Sequence, residues 1–490
     1  MLKSAEYLIS EEPWFRKNVM KWTSYDLGNT IYSMVVVSLT LTPLITIIYF
    51  NRGLTGSDAV KAGLLAVSTV FLISNLIMAV ISPFLGAYAD HQPKRRSLLM
   101  KLTIPCVIFM SFLFLSLYTD NVFLILFIFL LANIFYQMGL VVYDSMLPFI
   151  ADKHNVAKIS GLGVAIGYFG SFIGIGLGFY LATRYGDWET KPVTSDSATV
   201  TVDVFEIGYI PYIYPLAGIT FLLFALPIFR LREKPNPRGD ITVKHIRSEV
   251  VSQVKSTARE IRNYRSMFLF LIGWLIYIDA ANTVILFMTP IVTIGLGFEP
   301  GTILIVLGIG ILSAVLFTYP IGVYVDKNGP RKGLVIVTGL WVSAMLIAFF
   351  TSLNFAGLKT PDWPVYVFPL VLGPGLGGTW VVQRQFLTEL APPDKVGNYF
   401  GFANIFGRIS AAFGPYIFAF SVIILEEQTS LDISLANRFS ILTIAVLMLI
   451  GFFILLKVDN VHEAYLNGGR ATGDGRWIDS EGTVLYTAKK

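Results

Sequence analysis

Long apolar segments constrain this chain more than any other feature. Twelve of them are long enough to cross a membrane, in two groups of six. They lie near 27–50, 62–87, 98–118, 121–145, 159–182 and 209–229, and then near 267–294, 300–324, 333–352, 365–389, 397–424 and 436–457. In lipid the backbone must satisfy its own hydrogen bonds, and segments of this length do so as helices. The sequence therefore predicts an all-α membrane protein with twelve transmembrane helices, numbered here as spans 1 to 12.

Composition supports a membrane location and argues against several other classes of protein. Hydrophobic residues make up 54% of the 490 residues and charged residues only 14%, against about 25% charged residues in a soluble domain. The single cysteine, Cys106, lies in an apolar segment, so no disulfide is expected. The sequence contains no Walker-type phosphate loop and no Cys/His cluster, and the mixed charge of its start argues against a signal peptide. We therefore expect no cofactor, no metal and no nucleic-acid partner.

Lysine and arginine define the predicted orientation. The connection at 230–265 is strongly basic, and basic clusters also follow span 2 at Lys94-Arg95-Arg96 and span 8 at Arg331-Lys332. The connections on the other side, at 183–208 and 425–432, are acidic. Because short basic loops stay in the cytoplasm, we expect both termini and the linker at 230–265 on the cytoplasmic side.

Four regions follow from this pattern. Residues 1–229 and 266–457 are predicted to form two six-helix bundles, joined by the linker at 230–265 and followed by a polar tail at 458–490. Apolar residues of the linker recur at helical spacing, at Val243, Ile246, Val250, Val254, Ala258 and Ile261. We interpret the linker as an amphipathic helix lying on the anionic inner leaflet, with a regulatory or partner-binding role as the alternative. The Gly-rich tail is expected to be mobile.

The two bundles carry related sequences. Asp26-Leu27-Gly28-Asn29-Thr30 in span 1 corresponds to Asp279-Ala280-Ala281-Asn282-Thr283 in span 7. Gly161, Gly167 and Gly174 in span 5 have the spacing of Gly401, Gly407 and Gly414 in span 11, and at the same offset of 240 positions Asp144 corresponds to Arg384. Carboxylates are costly in lipid, so a polar cluster repeated in both halves indicates a shared internal site. The repeated glycines predict close packing of spans 5 and 11.

A second repeated motif follows spans 2 and 8. Its members are Gly86, Asp90, Lys94 and Arg95 in the first copy and Gly322, Asp326 and Arg331 in the second. In each short turn, a carboxylate followed by a basic residue can form a network of ion pairs and helix-terminus contacts. The alternative is a basic anchor alone, which would leave both aspartates unexplained. We therefore predict a conformational gate at these residues.

These two loops resemble the signature of the major facilitator superfamily. Four further motifs are similar to its vacuole-effluxer-like branch, namely Tyr25-Asp26-x-x-Asn29, Asp279-x-x-x-Thr283, Gly377-Gly378-Thr379…Arg384 and Pro392-Pro393…Phe400-Gly401-Phe402-x-Asn404. The best-known fungal members of that branch are implicated in amino-acid efflux from the vacuole. The resemblance implies that spans 1, 4, 7 and 10 line a central cavity. Two residues depart from the branch, which usually has an aromatic residue at Leu27 and often an asparagine at Asp144.

The candidate substrate and coupling residues are polar side chains expected to face that cavity. They are Asp26, Asn29, Gln137, Tyr143, Asp144, Asp279, Asn282, Gln383, Arg384, Asn404 and Arg408. Each acid and each arginine could instead belong to a structural ion pair, with Asp144, Glu389 and Asp279 as candidate partners of the arginines. Asp26 could also cap span 1 at the interface; if it matches Asp279 in depth, span 1 must begin earlier, near Trp14.

The sequence therefore predicts a secondary transporter that moves a small polar or zwitterionic, amino-acid-like solute by alternating access. It is expected to act as a monomer in the lipid bilayer. Protons could be carried by Asp279, alone or with Asp26 or Asp144, because every histidine lies outside the spans. An uncoupled facilitator is the alternative. The rivals are a lipid, amphiphile or drug translocator on the same fold, and an enzyme or sensor, for which the chain has neither a nucleophile–base constellation nor a large soluble domain.

Overall fold

The predicted helices are present, and they form two bundles of six. The computed structural model describes residues 13–54, 56–92, 94–185, 188–195, 198–205, 210–233, 243–288, 291–298, 300–355, 357–429 and 433–488. Within these residues, eleven helices are long and apolar enough to cross a membrane. The remaining predicted span is the helix Val396–Thr429, some of whose side chains lie outside the description.

The helices follow the order of the apolar segments. Span 1 consists of Pro13–Ile31, a π-helical segment at Tyr32–Thr40, and Leu41–Asn51. Spans 2 to 6 are Gly56–Asp90, Arg95–Phe112, Val122–Ile150, Val156–Tyr185 and Ile210–Ala225, with 3-10 turns at Leu113–Leu117 and Leu226–Arg230. Spans 7 to 12 are Arg265–Leu286, Pro300–Asn328, Pro330–Phe350, Phe368–Leu390, Val396–Thr429 and Ile433–Leu455, with a π-helical turn at Ile291–Gly295 and a 3-10 turn at Trp363–Tyr366.

Short strands occur only in connections and in the tail of the described chain. Trp188–Ser195 pairs with Ala198–Phe205 in a hairpin between spans 5 and 6, and Asn354–Phe355 pairs with Leu358–Lys359 between spans 9 and 10. Arg470–Ala471, Arg476–Ile478 and Val484–Thr487 form a three-stranded antiparallel sheet in the tail.

Each half has its own hydrophobic core. One cluster of buried side chains extends from Val19 to Leu231 and is built by spans 1 to 6. The other extends from Ile261 to Trp477 and includes Ala157, which belongs to span 5 of the first half. The two bundles are therefore separate units that meet through a limited set of helices.

Span 1 begins well before its apolar segment. Its helix starts at Pro13 and places Asp26 inside the bundle, where the side chain is 6% exposed. Trp22, one turn earlier, and the adjacent Tyr25 are also buried. The expected early start is confirmed, and the interface-cap interpretation of Asp26 is wrong, because large aromatic side chains bury the polar beginning of this helix.

The segment after span 6 is tied to the beginnings of spans 1 and 3. Asn18 exchanges two hydrogen bonds with the backbone of Arg232, of 2.8 and 3.1 Å. Glu233 accepts the backbone N–H groups of Arg95 and Arg96, both at 2.7 Å. Burial raises the pKa of Glu233, although the two N–H groups lower it in part. This carboxylate therefore caps the first turn of span 3.

The linker forms the predicted helix, Val243–Asn263, but its buried face differs from the expectation. Val250, Gln253, Thr257 and Ile261 are buried, whereas Ala258 is exposed. Gln253 and Thr257 contact the ends of spans 2 and 11 through hydrogen bonds to Asp90 and Asn398. The expectation that this face of the linker helix lies on the membrane is therefore wrong. Buried polar side chains such as Gln253 and Thr257 need hydrogen-bond partners, and here the protein supplies them.

The tail also differs from the expectation of a mobile segment. Besides its three-stranded sheet, it contains a helical turn at His462–Leu466. Trp477 is fully buried and belongs to the core of the second half. Buried side chains such as Trp477 therefore hold a polar, Gly-rich segment on the protein. We call the face that carries the linker helix and the tail the linker side.

The halves meet on the linker side by close contact of helix backbones. A Cβ atom on Gly86 of span 2 would overlap the carbonyl oxygen of Gly397 in span 11. In the same way, a Cβ on Gly322 of span 8 would lie 2.5 Å from the carbonyl oxygen of Ala157 in span 5, and one on Gly161 would lie 2.9 Å from that of Thr318. Of the glycines with repeated spacing, Gly161 and Gly401 therefore pack across the halves, whereas Gly167 and Gly174 pack against span 1 of their own half. A Cβ on Gly407 would have no described atom within 4 Å.

Candidate functional site

A charged pair joins the two halves inside the protein. Arg384 of span 10 contacts Asp144 of span 4, with 2.9 Å between Nη2 and Oδ1. Arg384 is 8% exposed and also donates a weak hydrogen bond of 3.4 Å to the hydroxyl of Ser160 in span 5. The Asp144 side chain is 21% exposed, but its Oδ1 atom is buried, so the contact itself is enclosed by protein. A buried pair of this kind is costly to desolvate, which favours a functional role over a stabilising one.

The pair lies where the two repeats meet. Asp144 and Arg384 occupy equivalent positions, 240 residues apart, and they contact each other directly. Residues related by an internal two-fold axis can touch only on that axis, so the pair marks the boundary between the halves. Two like charges would repel each other there, whereas opposite charges attract.

Asp26 and two aromatic rings complete the N-terminal side of the cluster. Asp26 interacts electrostatically with Arg384 and Asp144. The rings of Trp22 and Tyr143 stack at 4.4 Å, and their centroids lie 6.0 and 5.8 Å from the Arg384 guanidinium carbon. This geometry permits a cation–π contribution to holding the guanidinium in place.

Glycines in span 5 make room for these groups. A Cβ on Gly163 would lie 2.8 Å from the Trp22 ring, and one on Gly167 would lie 3.3 Å from the Asp26 carboxyl carbon. Span 5 can therefore approach span 1 closely enough to enclose the carboxylate. The contact with Asp26 explains the glycine at position 167, which belongs to the repeated spacing of spans 5 and 11.

Two amides extend the cluster with unused acceptors. Asn29, one turn after Asp26, is 6% exposed, and Gln137 of span 4 is 2% exposed. Gln137 donates a 3.4 Å hydrogen bond to Ser74 of span 2. Among the described residues, neither Asn29 Oδ1 nor Gln137 Oε1 has a hydrogen-bond partner. Because buried acceptors without partners are rare, these two oxygens are available to a ligand that donates hydrogen bonds.

Other candidates lie elsewhere around the boundary. Asp279 is buried in span 7, at 3% exposure, and Asn282 is partly buried one turn later. Arg408 of span 11 donates a 3.5 Å hydrogen bond to Asn75 of span 2, which crosses the halves. The remaining two are Gln383, which is partly buried, and Asn404, which bonds the carbonyl of Phe400 in its own helix.

The first predicted gate motif forms a network that crosses the halves. Asp90 is 1% exposed, and its oxygens accept the backbone N–H groups of Gly397 and Asn398 at 2.9 and 3.0 Å. Arg95 donates to Asp90 at 2.8 Å, and Gln253 of the linker helix donates at 3.1 Å. The carboxylate of span 2 therefore caps the first turn of span 11, where the helix dipole favours negative charge. Lys94 is exposed at this turn.

The second gate motif repeats the cap without the ion pair. Asp326 of span 8 accepts the backbone N–H groups of Ala157 and Lys158 at the start of span 5, both at 2.7 Å. Within the described residues, Asp326 and Arg331 form no ion pair, so that part of the expected network is wrong. Arg331 is partly buried and interacts electrostatically with Tyr486 of the tail. Because backbone N–H groups donate hydrogen bonds to both carboxylate oxygens of Asp326, the carboxylate is satisfied without the guanidinium of Arg331.

Sequence patterns missed several participants. Ser160 and Trp22 contact Arg384 but belong to no motif, and serines and tryptophans are common in membrane helices. Glu389, a candidate partner of Arg384, instead lies 2.6 Å from His462 of the tail. Glu389 lies near the end of span 10, away from the middle of the bundle, and this position in the sequence could have indicated that it does not pair with Arg384.

Comparisons with known proteins agree with this architecture. A sequence model of the family described as "Vacuole effluxer Atg22 like" matches residues 15–464. The chain is 23% identical over 463 residues to an uncharacterized MFS-type transporter, YxiO, of Bacillus subtilis (strain 168), covering 91% of this chain and 95% of that protein. It is 25% identical over 341 residues to autophagy-related protein 22 of Yarrowia lipolytica, covering 63% of this chain and 52% of that protein.

A solved structure shows the same fold. The proton:xylose symporter XylE, a major facilitator superfamily protein, aligns with a TM-score of 0.65 and 17% identity, covering 91% of this chain and 96% of that one. The family match spans most of the chain, and the relatives are transporters rather than enzymes. The protein is thus an integral multi-pass membrane transporter and belongs to the vacuole effluxer Atg22-like family of the major facilitator superfamily.

Proposed function

We propose that this transporter moves a small polar or zwitterionic organic solute, such as an amino acid, by alternating access. The observation that carries the proposal is the buried Asp144–Arg384 pair, which joins the halves at 2.9 Å. Rocking of one bundle against the other must separate these charges or replace one of them. A solute carboxylate can replace Asp144 on Arg384, because a guanidinium pairs readily with carboxylates.

The surroundings of the pair suit the amino end of such a solute. Asp26 supplies a carboxylate near Arg384, and Asn29 and Gln137 supply buried oxygens without partners among the described residues. A solute ammonium group carries donors that would satisfy these acceptors. An uncharged apolar drug would leave both the oxygens and the displaced charge unsatisfied, which costs binding free energy.

A thermal-shift screen tests the substrate class. Cys106 is the only cysteine and is fully buried, so a thiol-reactive dye reports its exposure on unfolding. We expect amino acids to raise the melting temperature in a concentration-dependent way, because a ligand that binds the folded state stabilises it. Sugars and simple amines, which lack the carboxylate, serve as matched controls. Stabilisation by sugars with none by amino acids would contradict the proposal.

A second candidate function rests on an apolar groove. The groove has a volume of about 470 Å³, opens at the outside of the first bundle and is lined by residues of spans 1, 2 and 4, including Tyr49, Leu65 and Phe127. Such a groove suits a lipid or amphiphile. Stabilisation by long-chain amphiphiles only, in the same screen, would favour this translocator over the amino-acid carrier.

We also propose that transport is coupled to protons. In this proposal the linker side faces the cytoplasm, and the protein acts as a monomer. Asp26 and Asp279 occupy matching places in the two halves, and both are buried. In proteoliposomes, we expect Asp279→Asn to lose uptake driven by a pH gradient but to retain exchange of labelled for unlabelled solute. Asp26→Asn tests whether the equivalent carboxylate shares this role. If both variants keep the pH dependence of the parent, the transporter is a facilitator.

A further inference from the structure

The tail makes contacts that no part of the transport site requires. It lies on the linker side against the ends of spans 7, 8 and 10, and most of it follows residue 464, where the family match ends. Trp477 donates a hydrogen bond of 3.0 Å from Nε1 to the carbonyl of Glu389 at the end of span 10. Its ring meets that of Tyr264, just before span 7, edge to face at 5.8 Å. These contacts fix the tail to the second half.

The tail also supports the contact between spans 8 and 5. His462 lies 2.6 Å from Glu389 through Nδ1 and 3.2 Å from the carbonyl of Asp326 through Nε2. The carboxylate of that same Asp326 caps the start of span 5 in the first half. His462 therefore braces, from behind, one of the two carboxylate caps that close the halves against each other.

One residue of the first half reaches the tail directly. Lys153, in the turn between spans 4 and 5, donates a 3.4 Å hydrogen bond to the carbonyl of Gly469. Its ammonium also lies 5.5 Å from the centre of the Tyr465 ring, within the range of a cation–π contact. The tail thus touches both halves, and separation of the halves on the linker side must break the Lys153 contacts.

We propose that residues 458–488 form a latch that holds the linker side of the transporter closed and must release Lys153 before that side can open. The latch is anchored on the second half through Trp477 and His462, and it binds the first half through Lys153. Its effect is to shift the conformational equilibrium toward the state closed on the linker side, since contacts made in only one of two states favour that state. This inference rests on the proposed alternating access but not on the identity of the solute.

Cysteine labelling tests the latch. In a Cys106→Ala background, Ser82→Cys places a reporter in span 2, fully buried where span 2 meets Gly401 of span 11. We expect Lys153→Ala to raise the labelling rate of this thiol by a polar maleimide about fivefold, the effect of losing one hydrogen bond of ordinary strength, since the Lys153 bond is long at 3.4 Å. Lys327→Ala is the matched control, because Lys327 is an exposed lysine at the end of span 8.

A second pair of variants separates release of the latch from loss of folding. Trp477→Ala should undock the anchor and raise labelling at least as much as Lys153→Ala. With a reducible bifunctional thiol reagent, crosslinking of Lys153→Cys to Tyr465→Cys should stop transport until the bridge is reduced. Crosslinking of Ser266→Cys to Asp459→Cys, a contact within the second half, should not. If the reporter is labelled in the parent and Lys153→Ala leaves its labelling rate unchanged, the latch is overturned. If the reporter is labelled in none of the variants, alternating access itself is contradicted.

The latch is also expected to respond to pH through His462. Both ring nitrogens face acceptors, and the charged residues facing the ring are Glu389 from span 10 and Asp326 from span 8. Burial lowers the pKa of His462, but Glu389 and Asp326 outweigh this effect, so the pKa is raised. Docking is therefore strongest below about pH 6.5, the pKa of a free histidine, and weakens as pH rises through the docked pKa. Because every thiol labels faster as pH rises, the reporter rate is divided by that of a free thiol at the same pH. This ratio should increase over that window in the parent and stay flat in His462→Gln; an equal increase in both would remove this histidine from the latch.

Discussion

Replacing Arg384 by glutamine is expected to abolish transport and to lower the free energy of unfolding by about 3–5 kcal/mol, because the change leaves a buried carboxylate without its partner. Asp144 loses its 2.9 Å contact and Asp26 its nearby positive charge. The reverse change, Asp144→Asn, should cost less, because Asp26 remains to compensate the guanidinium. Thermal unfolding followed through Cys106 measures both effects, and uptake in proteoliposomes measures transport.

The double variant separates folding from function. Asp144→Asn combined with Arg384→Gln removes both charges, so the double variant should be more stable than the sum of the single losses predicts, with a coupling free energy of about 1–3 kcal/mol between the two sites. Transport should stay absent. Arg476→Gln is the surface control, since Arg476 pairs with Asp474 in the exposed part of the tail and should leave the melting temperature nearly unchanged. Full transport by Arg384→Gln would show that the pair is structural only.

The second large effect is expected at the crossing of spans 2 and 11. Gly86→Ala would drive a methyl group into the carbonyl oxygen of Gly397, and backbone cannot move aside as a flexible side chain can. Overpacking of this kind costs about 1–3 kcal/mol, and here the cost falls on the closed state. The Asp90 cap on Gly397 and Asn398 lies one turn away and should break at the same time. We expect labelling of the Ser82→Cys reporter to rise at least tenfold, since each 1.4 kcal/mol changes an equilibrium by about that factor.

A glycine without a close neighbour provides the control. Within the described chain, a Cβ on Gly339 of span 9 would have nothing within 4 Å, so Gly339→Ala should leave reporter labelling unchanged. If Gly86→Ala and Gly339→Ala label equally slowly, the backbone contact of spans 2 and 11 does not keep the linker side closed. Slow labelling combined with normal transport would lead to the same conclusion.

Several site relationships were accessible from sequence because duplication leaves equivalent positions. The matched motifs identified Asp26, Asp144 and Arg384, and the glycine spacing identified Gly161 and Gly167 as contact points. The spacing of residues in the sequence could not identify which side chain each charged residue contacts. Arg384 had three candidate acids, and only the crossing of spans 4, 5 and 10 selects Asp144 over Glu389. Likewise, the Asp326 motif predicted an ion pair with Arg331, whereas the structure satisfies its oxygens with backbone N–H groups of the other half.

The amino-acid sequence alone determined the membrane class, the helical content and the division into two halves, because lipid excludes unsatisfied backbone groups and forces long apolar segments into helices. Tertiary structure alone decided which faces meet. The linker helix turns Gln253 and Thr257 toward the gate, and Trp477, His462 and Lys153 hold the tail on the protein. These contacts depend on hydrogen bonds between residues more than seventy positions apart, and the periodicity of a single sequence does not reveal such pairings.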